Sequence, residues 1–375
     1  MSFKFSLHQG EASSPRLGTL HTPHGDVSTP QFMPVATRGI MRGPWPQTLK
    51  PMGVEMMLAN SFHLFARPGT ELIAKLGGLH KAMVWDGPIL TDSGGFQAFS
   101  LATSKITDKG VKMRHPVDGS YVDWTPRLAF EVQQSLGPDV AMLLDECPAD
   151  PRDRDSVAVA IKRTINWAKI QREMHEARGG SGSGQAQFGI VQGGVFKDLR
   201  QECASKLIEL EFDGYAVGGV SVGEGHQAMM DGVRFSTSLL PKDKVRYLMG
   251  VGTPLDLVES VARGTDIFDC VYPTRSGRYG SFMTDEGMMH IHNARFADDT
   301  RPLMEGCECD SCLTKMPRGM LRAALKESEM VAAAMLAHHN LHYLVNLMKL
   351  IRAAIADGSF EQLRAKVVAA YPVKS

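Results

Sequence analysis

Eight short apolar runs punctuate the chain: Phe32–Thr37, Met56–Asn60, Ile89–Ser93, Val140–Glu146, Phe188–Gly193, Gly214–Gly219, Arg246–Val251 and Asp266–Val271. Each is followed by a turn and then by residues with helical spacing. Short apolar runs alternating with helices are the pattern of parallel strands buried on both faces. Eight such units in succession predict an α/β fold built on a closed (β/α)8 barrel. A doubly wound open sheet is the alternative, but the first run is not followed by the Gly-x-Gly-x-x-Gly turn of a dinucleotide-binding sheet.

The intervening helices are legible as well. Pro126–Leu136 and Ser156–Ala177 show helical periodicity and end near Gly137 and Gly179, and Phe196–Leu210 and Pro254–Arg263 behave in the same way. The charged, broken stretch Ser104–Val122 reads as a hairpin inserted after the third strand. The run Gly179-Gly180-Ser181-Gly182-Ser183-Gly184 reads as a flexible surface loop. From Met316 to about Lys366 the pattern is helical throughout. The expected organisation is a barrel over residues 1–300, a small metal-binding subdomain over 301–345 and a C-terminal helical segment over 346–375 that packs on the barrel.

A barrel gathers the C-terminal ends of its strands on one rim, and catalytic side chains come from that rim. Here those positions hold Asn60, Asp92, Asp145, Gln192, Gly219, Gly250 and Asp269. A single strand-end aspartate can be a helix cap. Three of them with two carboxamides form a candidate site, because carboxyl groups in a partly desolvated pocket divide into nucleophile and general acid/base. Asp and Gln beside exposed backbone N–H groups at Gly219 can read the edge of a flat heterocycle. Arg275 and Arg278 follow the eighth run and can grip phosphates beside Asp269.

The cysteines change the picture at the other end of the chain. Cys307, Cys309 and Cys312 form a Cys-x-Cys-x-x-Cys cluster, and a long helix later comes His338-His339-Asn340-Leu341-His342. Three thiolates and one imidazole suit a closed tetrahedral zinc site, which is structural because it leaves no open position. Cys147, Cys203 and Cys270 are scattered singly, which fits a reducing compartment rather than a disulfide framework.

The totals bound the rest. With 41 Lys and Arg against 41 Asp and Glu, the formal net charge is zero. No global field then draws in RNA or a membrane surface, and a nucleic-acid contact has to be local. No apolar run reaches the roughly 18 residues of a membrane span, and Met1–Ser6 lacks the layout of a signal peptide. A cytoplasmic protein is expected.

Taken together, the motifs resemble the bacterial tRNA-guanine transglycosylase family over essentially the whole chain. They are Phe32-Met33-Pro34-Val35, Asn60-Ser61-Phe62-His63-Leu64, Leu90-Thr91-Asp92-Ser93-Gly94-Gly95-Phe96-Gln97, Asp145-Glu146-Cys147, Phe212–Gly219, Tyr247–Gly252, Phe268–Val271 with Pro273-Thr274-Arg275, and the zinc set. The resemblance implies a (β/α)8 barrel with a zinc subdomain, one structural zinc per chain and a homodimer. It implies exchange of the wobble guanine in tRNAs with a GUN anticodon (Asp, Asn, His, Tyr), without energy input. Asp269 matches the family nucleophile and Asp92 the general acid/base. Asp145, Gln192 and the Gly219 backbone match the base-recognition set, Phe96 and Met249 the two faces that sandwich the purine, and Arg275 and Arg278 the grip on the anticodon loop. Cys147 and Val222 match small pocket residues that leave room for an aminomethyl group, which favours 7-aminomethyl-7-deazaguanine as the incoming base. Val220 stands in the same pocket, where leucine is common.

Two positions depart from the family pattern. The spacing from Cys312 to the histidines is one residue long: counting residues gives His338, while the His-Asn-Leu-x-Tyr motif gives His339, and the motif is followed here. Met316, Met320 and Ala323 replace the usual aromatic and histidine residues of the dimer contact. Two other functions compete with this reading, a glycoside hydrolase using Asp92 and Asp269 as its carboxylate pair and a tRNA-binding subunit without activity. Both carboxylates are present, which disfavours the second. The zinc lobe and the arginine loop disfavour the first.

Overall fold

The computed structural model describes residues 3–95 and 105–373. An antiparallel sheet of β1 (Lys4–Gln9), β2 (Leu17–Thr22) and β3 (Gly25–Thr29) opens the chain. Then come β4 (Gln31–Met33), β5 (Met57–Ala59) and β6 (Ile89–Thr91), followed by β7 (Lys105–Thr107), β8 (Gly110–Arg114) and β9 (Tyr121–Trp124). After them run β10 (Val140–Met142), β11 (Ala186–Val191), β12 (Gly214–Val217), β13 (Val245–Leu248) and β14 (Ile267–Asp269), and last a hairpin of β15 (Ser281–Thr284) and β16 (Gly287–His290).

Eight of these strands pair in parallel in the order β4-β14-β13-β12-β11-β10-β6-β5. The ring is drawn shut between its two ends by a parallel bridge of Val35 to Leu58, with Ala36 N donating to Leu58 O at 2.7 Å and Leu58 N to Pro34 O at 3.0 Å. These are the eight runs of the sequence, each ending earlier than its run, while β4, β11 and β13 begin one or two residues before theirs. All six residues of β11 are buried, as strands packed on both faces require. The helix Pro126–Leu136 has the bounds its pattern gives, because Thr125 caps it, Pro126 starts it and Gly137 ends it with φ +67°.

Three features differ from the sequence expectation. The inserted segment is a three-stranded antiparallel meander rather than a hairpin, because Tyr121–Trp124 adds a strand to it. The glycine-serine run is a short 3-10 turn over Gly180–Ser183, tied by Ser183 Oγ donating to Gly180 O at 2.7 Å. The N-terminal sheet, which carries no strong apolar run, covers the bottom of the barrel. His24 reaches Asp139, ahead of β10, at 2.8 Å, and Arg16 reaches Asp266, ahead of β14, at 3.0 Å.

Arg16 and Asp266 are both fully buried, and the Arg16 guanidinium also donates to the carbonyls of Lys242 and Lys244. Arg16→Ala would strand the carboxylate. The expected cost is about 3–5 kcal/mol in urea titrations at about pH 8, and less at about pH 5. The sign follows from burial, which pushes Asp266 up to about 6 even with Arg16 in place. At the lower pH the carboxyl carries a proton, so little charge is stranded.

Candidate active site and metal centre

The closed ring turns strand ends that are far apart in sequence towards one mouth. Asp92 directly follows β6, and the start of the helix Ser61–Ala66 is turned onto it. Ser61 N donates to Oδ1 at 2.7 Å and Asn60 Nδ2 to Oδ2 at 2.6 Å. Asp269 is the last residue of β14. Its Oδ1 accepts from Tyr247 Oη at 2.5 Å and from Gly250 N at 2.8 Å, so both donors fall on the same oxygen. Tyr247 rises from the buried interior of β13, and burial and the adjacent Asp269 raise its phenol well above its ordinary range, so it stays a proton donor.

Asp145 lies just beyond β10. Its Oδ2 accepts from Gln192 Nε2 at 2.6 Å and its Oδ1 from Ser93 Oγ at 3.4 Å. Burial pushes both Asp145 and Asp269 up to about 6, and Asp92 is close enough to each to add a like-charge push in the same direction. Two buried carboxyl groups that each feel a third in one desolvated mouth make it a candidate catalytic site.

Backbone forms the remaining wall. Gly219 has φ +60°, and a Cβ there would be strained and would lie 2.3 Å from Gln192 Oε1, so a larger residue would displace the Gln192 side chain. Glu224 takes the amides of Ser221 and Val222 and closes the loop. Val220 is buried; Val222, Cys147 and Met249 are half-buried. Burial pushes the Cys147 thiol up to about 12, which leaves it neutral and unreactive. Phe96 lies outside the described residues. Arg275 stands exposed and Arg278 half-buried on the helix Tyr272–Arg278, which starts right after the Asp269 strand. Arg42, from the segment after β4, adds its charge next to Arg278.

Sequence reasoning passed over three residues of this mouth. Tyr247 had a signal, a hydroxyl inside an apolar run. Arg200 had one too, a lone charge on the buried face of the helix Lys197–Ile208, next to Leu199 and Cys203. Arg42 had none beyond its sign.

The second centre is built from Cys307, Cys309, Cys312 and His339, all buried, with ligand atoms within 4.8 Å of one another. His339 Nδ1 lies 3.7, 3.5 and 3.4 Å from the three sulfurs in that order. A tetrahedral ion with bonds of about 2.3 Å to sulfur and 2.0 Å to nitrogen sets such ligands roughly 3.5 Å apart, so the donors fit one metal ion. The imidazole is prepared for it: Nε2 sits 2.8 Å from Met283 O, which places the ring proton there and leaves the Nδ1 lone pair facing the sulfurs. His338 points elsewhere, with Nε2 3.5 Å from Asp310 Oδ2. The next residue, Asn340, joins this centre to the mouth. Its Oδ1 accepts from Met283 N, and its Nδ2 donates to Pro273 O at 3.0 Å and Ser281 O at 2.9 Å.

Comparison with known proteins gives a consistent picture. Residues 11–373 match the family model described as queuine tRNA-ribosyltransferase. Among similar proteins carrying that name, one from Ruegeria pomeroyi is 47% identical over 360 residues, which is 96% of this chain and 94% of the relative. One from Caldanaerobacter subterraneus subsp. tengcongensis is 47% identical over 357 residues, 95% and 94% of the two chains. One from Staphylococcus aureus is 46% identical over 346 residues, 92% and 90%.

Elemental analysis of the purified protein is expected to find about one bound metal ion per chain, lost in Cys309→Ala together with a marked fall in melting temperature. A folded wild-type chain free of metal would rule this centre out.

Proposed function

The chain belongs to the queuine tRNA-ribosyltransferase family and is a pentosyltransferase, and we propose that it exchanges the wobble guanine of tRNAs with a GUN anticodon (Asp, Asn, His, Tyr) for 7-aminomethyl-7-deazaguanine. The observation that carries this reading is the pairing of two differently held carboxyl groups on one rim. Asp269 is bound through one oxygen, and Asp92 is held by the Asn60 side chain and the Ser61 amide.

In the proposed reaction Asp269 Oδ2 attacks the anomeric carbon of the ribose. The bond from that carbon to the base nitrogen breaks, its electron pair stays with guanine, and Asp92 supplies the proton. The incoming base gives a proton back to Asp92, attacks the same carbon and releases the Asp269 carboxylate. One glycosidic bond replaces another, as in the double displacement of retaining glycosidases. The target nucleotide has to leave its stack for the mouth to reach it. Asp145, Gln192 and the Gly219 backbone read the base edge, Phe96 and Met249 cover its faces, and Val220, Val222 and Cys147 shape the pocket around its 7-substituent. Arg275 and Arg278 hold the anticodon loop.

We assign zinc to the metal centre, as a structural ion, because three thiolates and an imidazole fill a tetrahedral set. We assign the homodimer contact to the segment after the cysteines, where Met316 and Met320 are exposed. The expected compartment is the cytoplasm; among the described residues no helix is long and apolar enough to cross a membrane.

Radiolabelled guanine is expected to enter an unmodified GUN-anticodon tRNA, and Asp269→Asn to abolish both incorporation and covalent trapping of tRNA. Trapping that survives in Asp269→Asn would move the nucleophile elsewhere. A wild type that binds this tRNA without exchanging base would point to a binding subunit.

The pH profile is a separate test. Burial raises Asp269 to about 6, and only the ionised form attacks, so kcat/KM should climb with pH through that value. Tyr247→Phe removes a donor that favours the carboxylate and should move the limb up by about one pH unit. A limb that stays in place in the mutant would separate Tyr247 from the titrating group.

A further inference from the structure

Arg200 is fully buried, and among the described residues it forms no salt bridge; Glu224 acts on it only from beyond ion-pair distance. Its guanidinium is spent on three backbone carbonyls and one serine hydroxyl. Nε donates to Gly194 O at 2.7 Å, Nη1 to Gly218 O at 3.2 Å and to Ser236 Oγ at 3.1 Å, and Nη2 to Gly219 O at 3.1 Å. One side chain thus ties the turn after β11, which follows Gln192, to the turn after β12. Burying an unpaired cation is costly, and an aliphatic side chain would fill the space between the helices Lys197–Ile208 and His226–Leu239 without that cost. The arrangement calls for a reason beyond packing.

We propose that Arg200 is the positioning residue that sets the donor pattern of the base-reading loop. By holding the Gly218 and Gly219 carbonyls on the helix side, it turns the N–H groups of Gly219 and Val220 toward the barrel mouth, where they meet the 6-oxo group of a purine. This deepens the exchange reading above and rests on it.

The geometry follows from the planar trans peptide, in which C=O and N–H point in opposite directions. Two successive carbonyls drawn to Arg200 therefore leave two successive N–H groups facing away from it. The side away from the helices holds Gln192 and Asp145, and the Gln192 side chain already lies against Gly218 and Gly219. Glu224 takes the next two amides, those of Ser221 and Val222, so the loop's orientation is fixed from both ends. A cation on the carbonyl side also polarises each peptide and makes its N–H a stronger donor. Burial lowers Arg200 only to about 10, so the charge is present at neutral pH. Two aligned donors are the complement of an oxo group and a poor match for a weaker acceptor at the same position.

The test compares guanine with 6-thioguanine, which keeps the ring N–H and the 2-amino group and replaces the oxygen by a weaker acceptor. Exchange of each base into GUN-anticodon tRNA is measured for the wild type, Arg200→Lys and Ser236→Ala. Lysine keeps the charge but cannot span both carbonyls. The preference for guanine over 6-thioguanine in kcat/KM is expected to fall roughly tenfold in Arg200→Lys, through the kinetic constants for the base, with the KM for tRNA unchanged. Ser236→Ala, which removes one contact to the guanidinium, should shift the preference in the same direction by less, and it carries the test if Arg200→Lys does not fold. An exchanging variant that keeps the wild-type preference, or one that loses both bases equally, would overturn the proposal and leave Arg200 a packing residue. A wild type that exchanges neither base would overturn the exchange reading and this inference with it.

Discussion

Desolvation of carboxyl groups at the mouth of the barrel is the constraint around which the rest of the molecule is arranged. Burial alone would drive Asp145 and Asp269 to their neutral forms, and each has donors that draw it back: Gln192 and Ser93 for Asp145, Tyr247 and Gly250 for Asp269. The outcome near 6 lets a modest change in donor or occupant switch either group. That balance requires a rigid frame, because a hydrogen bond of 2.5–2.8 Å loses its value with small displacements. The closed ring supplies the frame, with no free edge at which a strand end can drift.

The metal centre extends that frame. Hydrogen bonds from His339 and Asn340 reach Met283, Ser281 and Pro273, so consecutive residues of one helix hold both the metal donor set and the start of the arginine helix. The contact leaves no slack: a Cβ on Gly277 would fall 2.6 Å from Ala337 N. Arg275 and Arg278 are therefore carried on a helix clamped to the helix that bears His339. Under the proposed function, loss of a bound metal would act on the arginine grip through backbone position, without any change of charge at the mouth.

Much of this was legible in the sequence, for a physical reason in each case. Strands buried on both faces are apolar at most positions, so all eight barrel strands stood out despite buried Gln31, Gln187 and Arg246. Their ends were overshot, as in Val140–Glu146 against Val140–Met142, because Leu143 and Leu144 remain buried after the ladder stops. Strands that cover the barrel bottom are half-exposed, and Lys4–Gln9 mixes exposed and buried positions without clean alternation, so the N-terminal sheet left no pattern. The candidate metal ligands were readable because metal chemistry demands particular residue types at short spacing. Tyr247 and Arg200 each left a polar signal at an apolar position, but their roles were not readable, since what each does depends on partners 22 and 6–36 residues away that only the closed ring brings near.

Taken with the proposed reaction, the mouth divides into two halves held by different means. Asp92 and Asp269 are oriented by donors on the neighbouring strand or in the turn right after it, so the reacting half is determined close to the barrel itself. The base-reading half joins Asp145 and Gln192 to a stretch of backbone, and that backbone is oriented by side chains on the outer layer, Arg200 from the helix after β11 and Glu224 from the approach to the next helix. Substitutions in that outer layer can then change which base is accepted while the carboxylates keep their positions. A barrel has freedom in its loops and helices and little in its strands, so choice of base is the property that this architecture leaves open to change, and glycosidic exchange is the one it holds fixed.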